Sequence, residues 1–439
     1  MTNKQKIKSW GLAALLATPV FITSCSEEKE TLNAPVVNWN LPADTVLAVN
    51  DLLDFAPEVV SEDPATTYQW TINGSAVSTE KDYQFQATES GSYVISFVTT
   101  GAGQQVEKKI EIQVRKQYGG FYVINEGWFG HHVASFNYVK NTMPLFADYD
   151  AFVAQIPTNV TPGATGVCGA LRGKDFYLLT KGEPFLNKMD AATWNQTAVL
   201  NGGNTGDFGE ASAISFLSDD AVILTGSKGA FKLDTRTLNI TDTITTKRTT
   251  DVQVDGNYIY MIENDSLSIY NAKNLALVKK NIVEANTGFA VAGNSVWAAN
   301  TTALVKIEGE TVTSVDLPES YTVAFDAYTY HPTSLKASKD GSELFFVKND
   351  GWTNKVAVAY DIADNTVRKF ADAPKDFSFY GAGIQVDPKT GNVYLIYTED
   401  GWGTHYMNNR IVVMSPEGEV KETINYSGEY WFPSSLVFE

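Results

Sequence analysis

Three short segments of the chain share an acidic residue, a glycine and a tryptophan in the same order. They read Asn125-Glu126-Gly127-Trp128, Asn349-Asp350-Gly351-Trp352 and Glu399-Asp400-Gly401-Trp402. A carboxylate beside a rigid aromatic ring offers a hydrogen-bond acceptor and a flat apolar surface at small entropic cost. The pattern favours one shared patch that binds a large amphipathic molecule. The alternative interpretation is a repeated turn whose tryptophan covers the neighbouring structural unit.

All four histidines of the chain lie in stretches of similar, turn-like composition. Imidazoles near carboxylates are adequate metal ligands, but no His-x-x-x-His spacing occurs, so we favour polar contacts to a ligand and predict no metal. Large aromatic residues in such loops also need a reason, because loops usually carry small polar residues. The candidate ligand-binding residues are Asn125, Glu126, Trp128, Phe129, His131, His132, Tyr330, His331, Asp350, Trp352, Tyr380, Asp400, Trp402, His405, Tyr406 and Trp431.

The signs of catalysis are few. The chain has no Gly-x-Ser-x-Gly nucleophile turn and no phosphate-binding glycine loop. A pair of carboxylates such as Asp350 and Asp400 could perform acid–base chemistry at a suitable separation. A sialidase-like site would also need an arginine cluster, and these loops offer little beyond Arg410. We therefore predict a binding protein with no catalytic residue and no cofactor, with a lyase or hydrolase as the enzymatic alternative.

The elements that must position these residues are repeated strands. From about 118 to 439 the chain repeats an apolar strand, a turn, a strand rich in Tyr, Val and Leu, a polar loop and a third strand. A period of about 40–45 residues with several strands per unit is typical of a β-propeller. The clearest copies begin at Gly166, Ala211, Thr250, Thr287, Pro332 and Tyr380.

The two ends of this region complete each other. Residues 431–438 look like the first strand of a further copy that is cut short, and its missing strands match residues 120–124 and 134–138. One composite blade would close the ring without leaving an open sheet edge. We therefore predict an all-β fold with a seven-bladed β-propeller over 118–439. In a propeller the three tryptophan-bearing loops lie on one face, in neighbouring blades.

The residues from 34 to 115 form a separate region of short strands with alternating polarity. Tyr68, Trp70 and Ile72 share one face of such a strand, and the turn Asn73-Gly74 follows. The segment around Tyr93 resembles the tyrosine corner of immunoglobulin-like sandwiches. This region therefore looks like a small PKD- or Ig-like β-sandwich, and its simplest role is that of a spacer before the propeller.

The first 24 residues have the features of a bacterial signal peptide. Three lysines precede the apolar run 11–22, which is too short to span a bilayer. The run ends at Ser24-Cys25, which matches a lipobox, so we predict that Cys25 is lipidated and begins a tether over 25–33. The acidic residues at 26–30 resemble an export signal of Bacteroidetes lipoproteins. The expected location is the outer membrane, lipid-anchored and exposed at the cell surface.

Charge and cysteine content narrow the possible partners. Loss of the signal peptide removes three lysines and no acid, which changes the formal net charge from −18 to −21. Such an acidic surface argues against nucleic acid and against anionic lipid as partners, so the membrane is contacted only through the lipid anchor. With Cys25 lipidated, Cys168 is left alone without a disulfide, and its apolar neighbours predict a small buried core residue.

The start of the propeller region, from Phe121 to Gly130, resembles a family of Bacteroidetes surface lipoproteins with a YncE-like seven-bladed propeller. The corresponding stretch of that family reads approximately YVLNEGNFG, so Trp128 replaces a usual asparagine. The resemblance covers 118–439 and includes BtuG-like, cobalamin-capturing members. It implies a corrinoid as ligand and a TonB-dependent outer-membrane transporter as partner. The residues alone do not distinguish a corrinoid from a glycan, and a structural surface-layer role is a further alternative.

Overall fold

The computed structural model describes residues 4–5, 32–39, 46–89, 91–127, 132–143, 160–191, 194–201, 208–325, 335–351, 353–428 and 432–439. The predicted signal peptide, apart from residues 4–5, and Cys25 lie outside these ranges. The fold is almost entirely β, with 62% strand and 1% helix, and no described helix is long and apolar enough to cross a bilayer. The chain divides into two compact units, which meet in sequence between Gln117 and Tyr118.

The first unit is a small β-sandwich, as the alternation of its sequence predicts. Trp70 is fully buried, lies 4.5 Å from Phe97 between ring centroids, and donates its indole N–H to the carbonyl of Glu80. The Tyr93 hydroxyl donates to the backbone carbonyl of Glu89, the bond expected of a tyrosine corner. The strands are β1 (Lys4–Gln5), β2 (Val36–Asn38), β3 (Val46–Ala48), β4 (Leu52–Phe55), β5 (Glu58–Val60), β6 (Thr67–Ile72), β7 (Ser75–Ser78), β8 (Tyr83–Gln86), β9 (Gly91–Gly101) and β10 (Gln104–Asn125).

The second unit contains six four-stranded antiparallel sheets in its described residues. They comprise β12 (Gly166–Arg172), β13 (Asp175–Thr180), β14 (Leu186–Asp190) and β15 (Gln196–Leu200); β16 (Ala211–Ser218), β17 (Ala221–Gly226), β18 (Gly229–Asp234) and β19 (Ile240–Thr245); β20 (Thr249–Asp255), β21 (Tyr258–Glu263), β22 (Ser266–Asn271) and β23 (Leu277–Lys279); β24 (Thr287–Ala292), β25 (Ser295–Ala299), β26 (Ala303–Glu308) and β27 (Thr311–Asp316); β28 (Leu335–Ala337), β29 (Glu343–Val347), β30 (Val356–Asp361) and β31 (Thr366–Asp372); and β32 (Phe377–Val386), β33 (Val393–Glu399), β34 (Asn408–Met414) and β35 (Val420–Ser427). A short 3₁₀ helix, Gly403–Met407, precedes β34.

The second strand of each sheet is buried along nearly its whole length. In β21 five consecutive residues, 259–263, are buried, and all six residues of β17 are. A sheet with one wet face shows strict alternation, whereas a strand covered on both faces is continuously apolar. Each apolar cluster joins residues of two neighbouring sheets, so the core of the propeller lies between blades.

The ring is closed by the C-terminal strand β36 (Pro433–Phe438), which pairs antiparallel with the end of β10. A third strand, β11 (Ser135–Met143), lies on the other side of β10. The first strand of each four-stranded sheet contacts that of the next, and β36 contacts both β12 and β32. The predicted composite closing sheet is therefore present. The number of seven blades stays a prediction, since this sheet has three strands in the described part of the chain.

A buried polar network holds the composite sheet to its neighbour. The Tyr426 hydroxyl, on β35, donates to Oδ1 of Asn125 at 2.7 Å and accepts from Nδ2 of Asn137 at 2.7 Å. Nδ2 of Asn125 donates to the Ser135 hydroxyl at 2.9 Å. Burial raises the pKa of Tyr426 far above its ordinary value, so the phenol remains a hydroxyl at any ordinary pH.

Cys168 departs from its predicted role. The residue packs against the apolar cluster between the first two sheets, yet it is partly exposed to solvent and lies on β12, one of the innermost strands. The sequence pattern identified its apolar neighbours, but it could not show that the innermost strand of a blade also borders the axis of the ring.

We expect Tyr426→Phe to lower the free energy of unfolding by about 1–3 kcal/mol, because it leaves the buried amides of Asn125 and Asn137 each short of one partner. Urea denaturation of the full chain measures this change. The matched control is Tyr258→Phe, whose hydroxyl makes only an exposed 3.4 Å contact to Glu310 and whose loss should cost less than about 0.5 kcal/mol. Equal stability losses in the two variants would contradict the network's role.

Candidate functional site

The loops that join second to third strands lie on one face of a propeller. The ends of the strands give the bounds of these loops, and the acid and glycine of each copy of the shared motif lie in one of them. These loops cover 126–134, 181–185, 227–228, 264–265, 300–302, 348–355 and 400–407, and residues 128–131 and 352 among them lie outside the described part of the chain.

Several predicted ligand-binding residues fall outside the described ranges. They are Trp128, Phe129, His131, Tyr330, His331, Trp352 and Trp431. The expected meeting of Trp128, Trp352 and Trp402 therefore stays a prediction. The geometry of the site rests on the other nine residues and on the side chains that contact them.

Four aromatic rings form a continuous row on this face. The rings of Tyr380 and Phe432 lie 4.8 Å apart between centroids, and those of Phe432 and Tyr406 lie 4.4 Å apart. Trp402 meets Tyr406 edge to face at 6.1 Å. Phe432 is buried, whereas Trp402 is 83% exposed. The row, which we call the aromatic row, thus runs from a buried ring to an indole that projects into solvent.

Glu126 connects the aromatic row to the start of the propeller. Its Oε2 accepts a 2.7 Å hydrogen bond from the Tyr380 hydroxyl, and its backbone N–H donates to the Phe432 carbonyl at 2.9 Å. Its carbonyl accepts from the Gly166 N–H at 3.0 Å. Glu126 is only 5% exposed. This carboxylate therefore fixes the orientation of Tyr380 and joins three segments that are distant in sequence.

Asn125, the predicted ligand contact next to Glu126 in the sequence, lies in the interior of the propeller. Its side chain is fully buried, and both amide atoms are occupied by Tyr426 and Ser135. A ligand on the surface cannot reach an amide in this position without breaking the network of the closing sheet. The structure therefore favours a structural role for Asn125 over the predicted contact with a ligand.

Asp400 lies in an ion pair rather than in free solvent. Its Oδ2 accepts from the Lys355 ammonium and its Oδ1 from the Ser378 hydroxyl, while Lys355 also donates to the Phe377 carbonyl at 2.6 Å. Burial by itself would raise the pKa of Asp400, but the hydrogen bonds from Lys355 and Ser378 outweigh burial and lower it. Asp400 is therefore ionised and held in place near neutral pH.

Asp350 has a similar arrangement in the loop 348–355. Lys348 donates to its Oδ1 at 2.6 Å, and its backbone N–H donates to Oδ1 of Asn354 at 2.9 Å. The carbonyl of Asn354 accepts from the Phe379 N–H at 2.9 Å, so this loop is fastened to β32. The loop that carries Asp350 also carries Lys355, the partner of Asp400, which links the second and third motifs.

The two described histidines of the candidate set are both exposed at this face. Nδ1 of His405 lies 3.0 Å from Oε2 of Glu399, which also accepts from Nδ2 of Asn408 at 2.7 Å. These contacts, with Asn408 contributing most, lower the pKa of Glu399. Among the described residues no group of three or more His, Cys, Asp and Glu side chains has the arrangement of a metal site.

The glycine of each motif is required by its turn. Gly127, Gly351 and Gly401 have φ values of +75°, +89° and +132°, a region that side-chain-bearing residues rarely occupy. A Cβ at Gly401 would also lie 2.6 Å from the His405 ring. The shared motif is therefore a repeated turn, and at Trp402 that turn presents its indole to solvent rather than covering a neighbouring blade. Whether the other two tryptophans form a patch or cover a blade stays a prediction.

Three important side chains of this face are missing from the predicted set. Phe432 is the centre of the aromatic row, and Lys355 and Ser378 hold Asp400. Phe432 directly follows the candidate Trp431 in the sequence. The criterion that selected Trp431, a large aromatic residue in a loop, could therefore have selected Phe432 as well. Lys355 and Ser378 carry no local signal, because only the docking of one loop on the next sheet brings them to Asp400.

Lys355→Met should lower stability at pH 7 by about 1 kcal/mol, a value reduced for the partial exposure of this pair. The pKa of Asp400 is lowered in the folded protein, so the stabilisation is present above the ordinary aspartate pKa and is lost as pH falls below it. The difference in unfolding free energy between Lys355→Met and the parent chain should therefore shrink as the pH falls from 5 to about 3. Urea denaturation across this range is the measurement, with Lys369→Met, whose partner Asp372 is well exposed, as control. A deficit that does not depend on pH would contradict this account.

Comparison with known proteins adds the following. A PKD-like domain is recognised over residues 35–100. Among solved structures the chain is similar to a quinonprotein alcohol dehydrogenase-like protein from Bacteroides thetaiotaomicron, with a TM-score of 0.56 and 20% identity over 92% of this chain and 99% of that one. It also matches apo AztD from Citrobacter koseri, with a TM-score of 0.45 and 11% identity over 72% of this chain and 97% of that one.

At these identities the likeness concerns the fold alone, and no curated protein sequence matches the chain. The family profile that matches the propeller covers residues 119–439, which is well over half of the chain. This region begins where the second structural unit begins, at Tyr118, to within one residue. The chain therefore belongs to the family described as a domain of unknown function, DUF5074, and carries a PKD-like domain before it.

Proposed function

We propose that this protein is a surface binding protein that holds a large amphipathic ligand against the aromatic row. The observation that carries the proposal is the continuous series of ring contacts from Phe432 through Tyr406 to the exposed indole of Trp402. The indole of Trp402 has 83% of its surface in water, and its ring is therefore accessible to a ligand. A ligand ring that covers Trp402 would recover this surface and gain a stacking contact of about 0.5–1.5 kcal/mol.

The polar groups beside the aromatic row are suited to recognition rather than to catalysis. A general acid at neutral pH needs a raised pKa. The pKa values of Asp400 and Glu399 are instead lowered by their hydrogen-bonding partners. Glu126 is occupied with orienting Tyr380. Fixed carboxylates, together with Ser378 and Asn408, offer a preorganised set of hydrogen-bond partners for the edge of a bound molecule.

The ligand we propose is a corrinoid. Cobalamin has a broad, flat macrocycle with amide groups around its edge, so it can place a face on aromatic rings and its amides on carboxylates and hydroxyls. The resemblance of residues 121–130 to cobalamin-capturing lipoproteins supports the same ligand. On this proposal the protein is anchored through Cys25 at the outer-membrane surface and passes the corrinoid to a TonB-dependent transporter.

A glycan is the second candidate, and the exposure of the Trp402 indole favours it. A single exposed indole is the usual stacking platform for a sugar ring, and Tyr406 at its edge with Asp400 nearby in sequence would add polar contacts. A glycan needs only this one platform, whereas a corrinoid would also use the other loops of the face. The two ligands therefore differ in how many loops they require.

Calorimetric titration of the full chain carrying Cys25→Ser with cyanocobalamin tests the proposal. We expect binding at micromolar concentration or tighter, and at least tenfold weaker binding in Trp402→Ala, because truncation of a central aromatic anchor costs about 1–2 kcal/mol or more. The matched control is Leu277→Ala, an exposed apolar side chain on the outer strand β23, which should bind normally.

The absence of heat with cyanocobalamin at micromolar protein would overturn the corrinoid assignment. A glycan-array signal that is lost in Trp402→Ala would then establish the second candidate in its place. If neither ligand class binds, or if Trp402→Ala binds as the parent chain does, the aromatic row is not a binding surface.

A further inference from the structure

A second group of ionisable side chains lies at the axis of the propeller, and its chemistry differs from that of the aromatic row. Cys168, Asp251 and Lys336 lie on β12, β20 and β28, three first strands of the ring. Val252 and Leu335, their neighbours along the chain, are buried in the clusters between blades. Because successive side chains of a strand alternate in direction, Asp251 and Lys336 face away from these clusters.

Two independent properties place these side chains in a narrow space reached by water. Each is partly exposed to solvent. Burial nevertheless dominates their ionisation, because it raises the pKa of Asp251 to about 6, lowers the pKa of Lys336, and raises the pKa of Cys168 to about 12. Partial exposure together with strong desolvation is the condition of a side chain in a channel enclosed by protein.

The three groups also influence one another across the ring. Lys336 opposes the effect of burial on Asp251 and on Cys168, and Asp251 adds to the raised pKa of Cys168. Asp251 and Lys336 are nevertheless not joined by an ion pair or hydrogen bond within the described residues. Oδ1 of Asp251 instead accepts from the Val252 N–H at 2.7 Å, and the carboxylate also accepts from the backbone N–H of Phe289. The Lys336 ammonium has no hydrogen-bond partner in the same part of the chain.

Two opposite charges that face the axis from two first strands and form no ion pair with each other define a ligand by its charges. An anion on Lys336 alone would leave Asp251 uncompensated, and a cation on Asp251 alone would leave the ammonium without a partner. A molecule with both charges compensates each group and remains neutral as a whole. We propose that the axial channel holds a binding site for a small zwitterion, whose carboxylate pairs with Lys336 and whose ammonium group pairs with Asp251.

Cys168 provides a natural reporter for this site. In the full chain carrying Cys25→Ser it is the sole cysteine, so methyl methanethiosulfonate labels it alone. Because the pKa of Cys168 is raised, the labelling is followed at about pH 9, where more thiolate forms, and mass spectrometry gives the rate. The probes are glycine, β-alanine and γ-aminobutyrate, three zwitterions of increasing length, with acetate and methylammonium as single-charge comparisons. We expect one zwitterion to slow the labelling at least threefold in a saturable manner, and the single-charge ions to slow it less.

Asp251→Asn and Lys336→Gln should each abolish this protection. The matched control is Asp255→Asn, an exposed residue at the end of the same strand, which should keep it. If either variant fails to fold, Asp251→Glu decides, because its longer side chain narrows the gap and should shift the preference to a shorter zwitterion.

Several outcomes would overturn the site. They are no protection by any zwitterion, equal protection by acetate or methylammonium, protection that survives both charge-removing variants, and an unchanged length preference in Asp251→Glu. If Cys168 does not react, calorimetric titration of the same chain with the three zwitterions decides, and the absence of saturable heat overturns the site. None of them bears on binding at Trp402, so the channel site and the corrinoid proposal fail or stand separately.

Discussion

The pairing of β36 with the end of β10 is the constraint on which the propeller depends. It joins Phe438 to Phe121, residues near the two ends of the propeller region, and their rings pack with Tyr394 of the adjoining sheet at centroid distances of 5.0–5.7 Å. A sheet edge left open here would expose unpaired backbone groups. The same pairing brings the Glu126 backbone N–H to the Phe432 carbonyl, so closure of the ring also builds the centre of the candidate site.

Closure places polar residues of the propeller in very different environments. Residues between the sheets are mostly apolar, because each sheet is covered on both faces. Charged groups lie on the outer strands, in the loops and along the axis, and the loops of one face differ from the axis in how far water reaches them. In the loops, Asp400 and Lys355 form a partly exposed pair that water screens. At the axis, Asp251 and Lys336 are partly exposed and form no ion pair within the described residues. The two sites that we propose differ in chemistry for this reason, one for a flat amphipathic face and one for compact charges.

The repeated acid–glycine–tryptophan turn shows how one local structure acquires different roles. Its glycine has a positive φ in all three copies, which is the local requirement. The role of the acidic residue then depends on the side chains around it. Glu126 is buried and orients Tyr380, whereas Asp350 pairs with Lys348 and Asp400 pairs with Lys355. Each of these three carboxylates has a partner, which supports our proposal that the face binds a ligand rather than transfers protons.

The sequence by itself determined the features that are encoded within one repeat: the strands, their turns, the loops of the common face and the composite closing sheet. Alternation and turn residues act over a few neighbours, so they can be read locally. Only the tertiary structure decided that Asn125 is interior, that Phe432 centres the aromatic row and that Cys168 borders the axis. These facts depend on partners that are far apart in the chain, such as Glu126 with Tyr380 at 254 residues, and no local pattern records which distant residues a closed ring brings together.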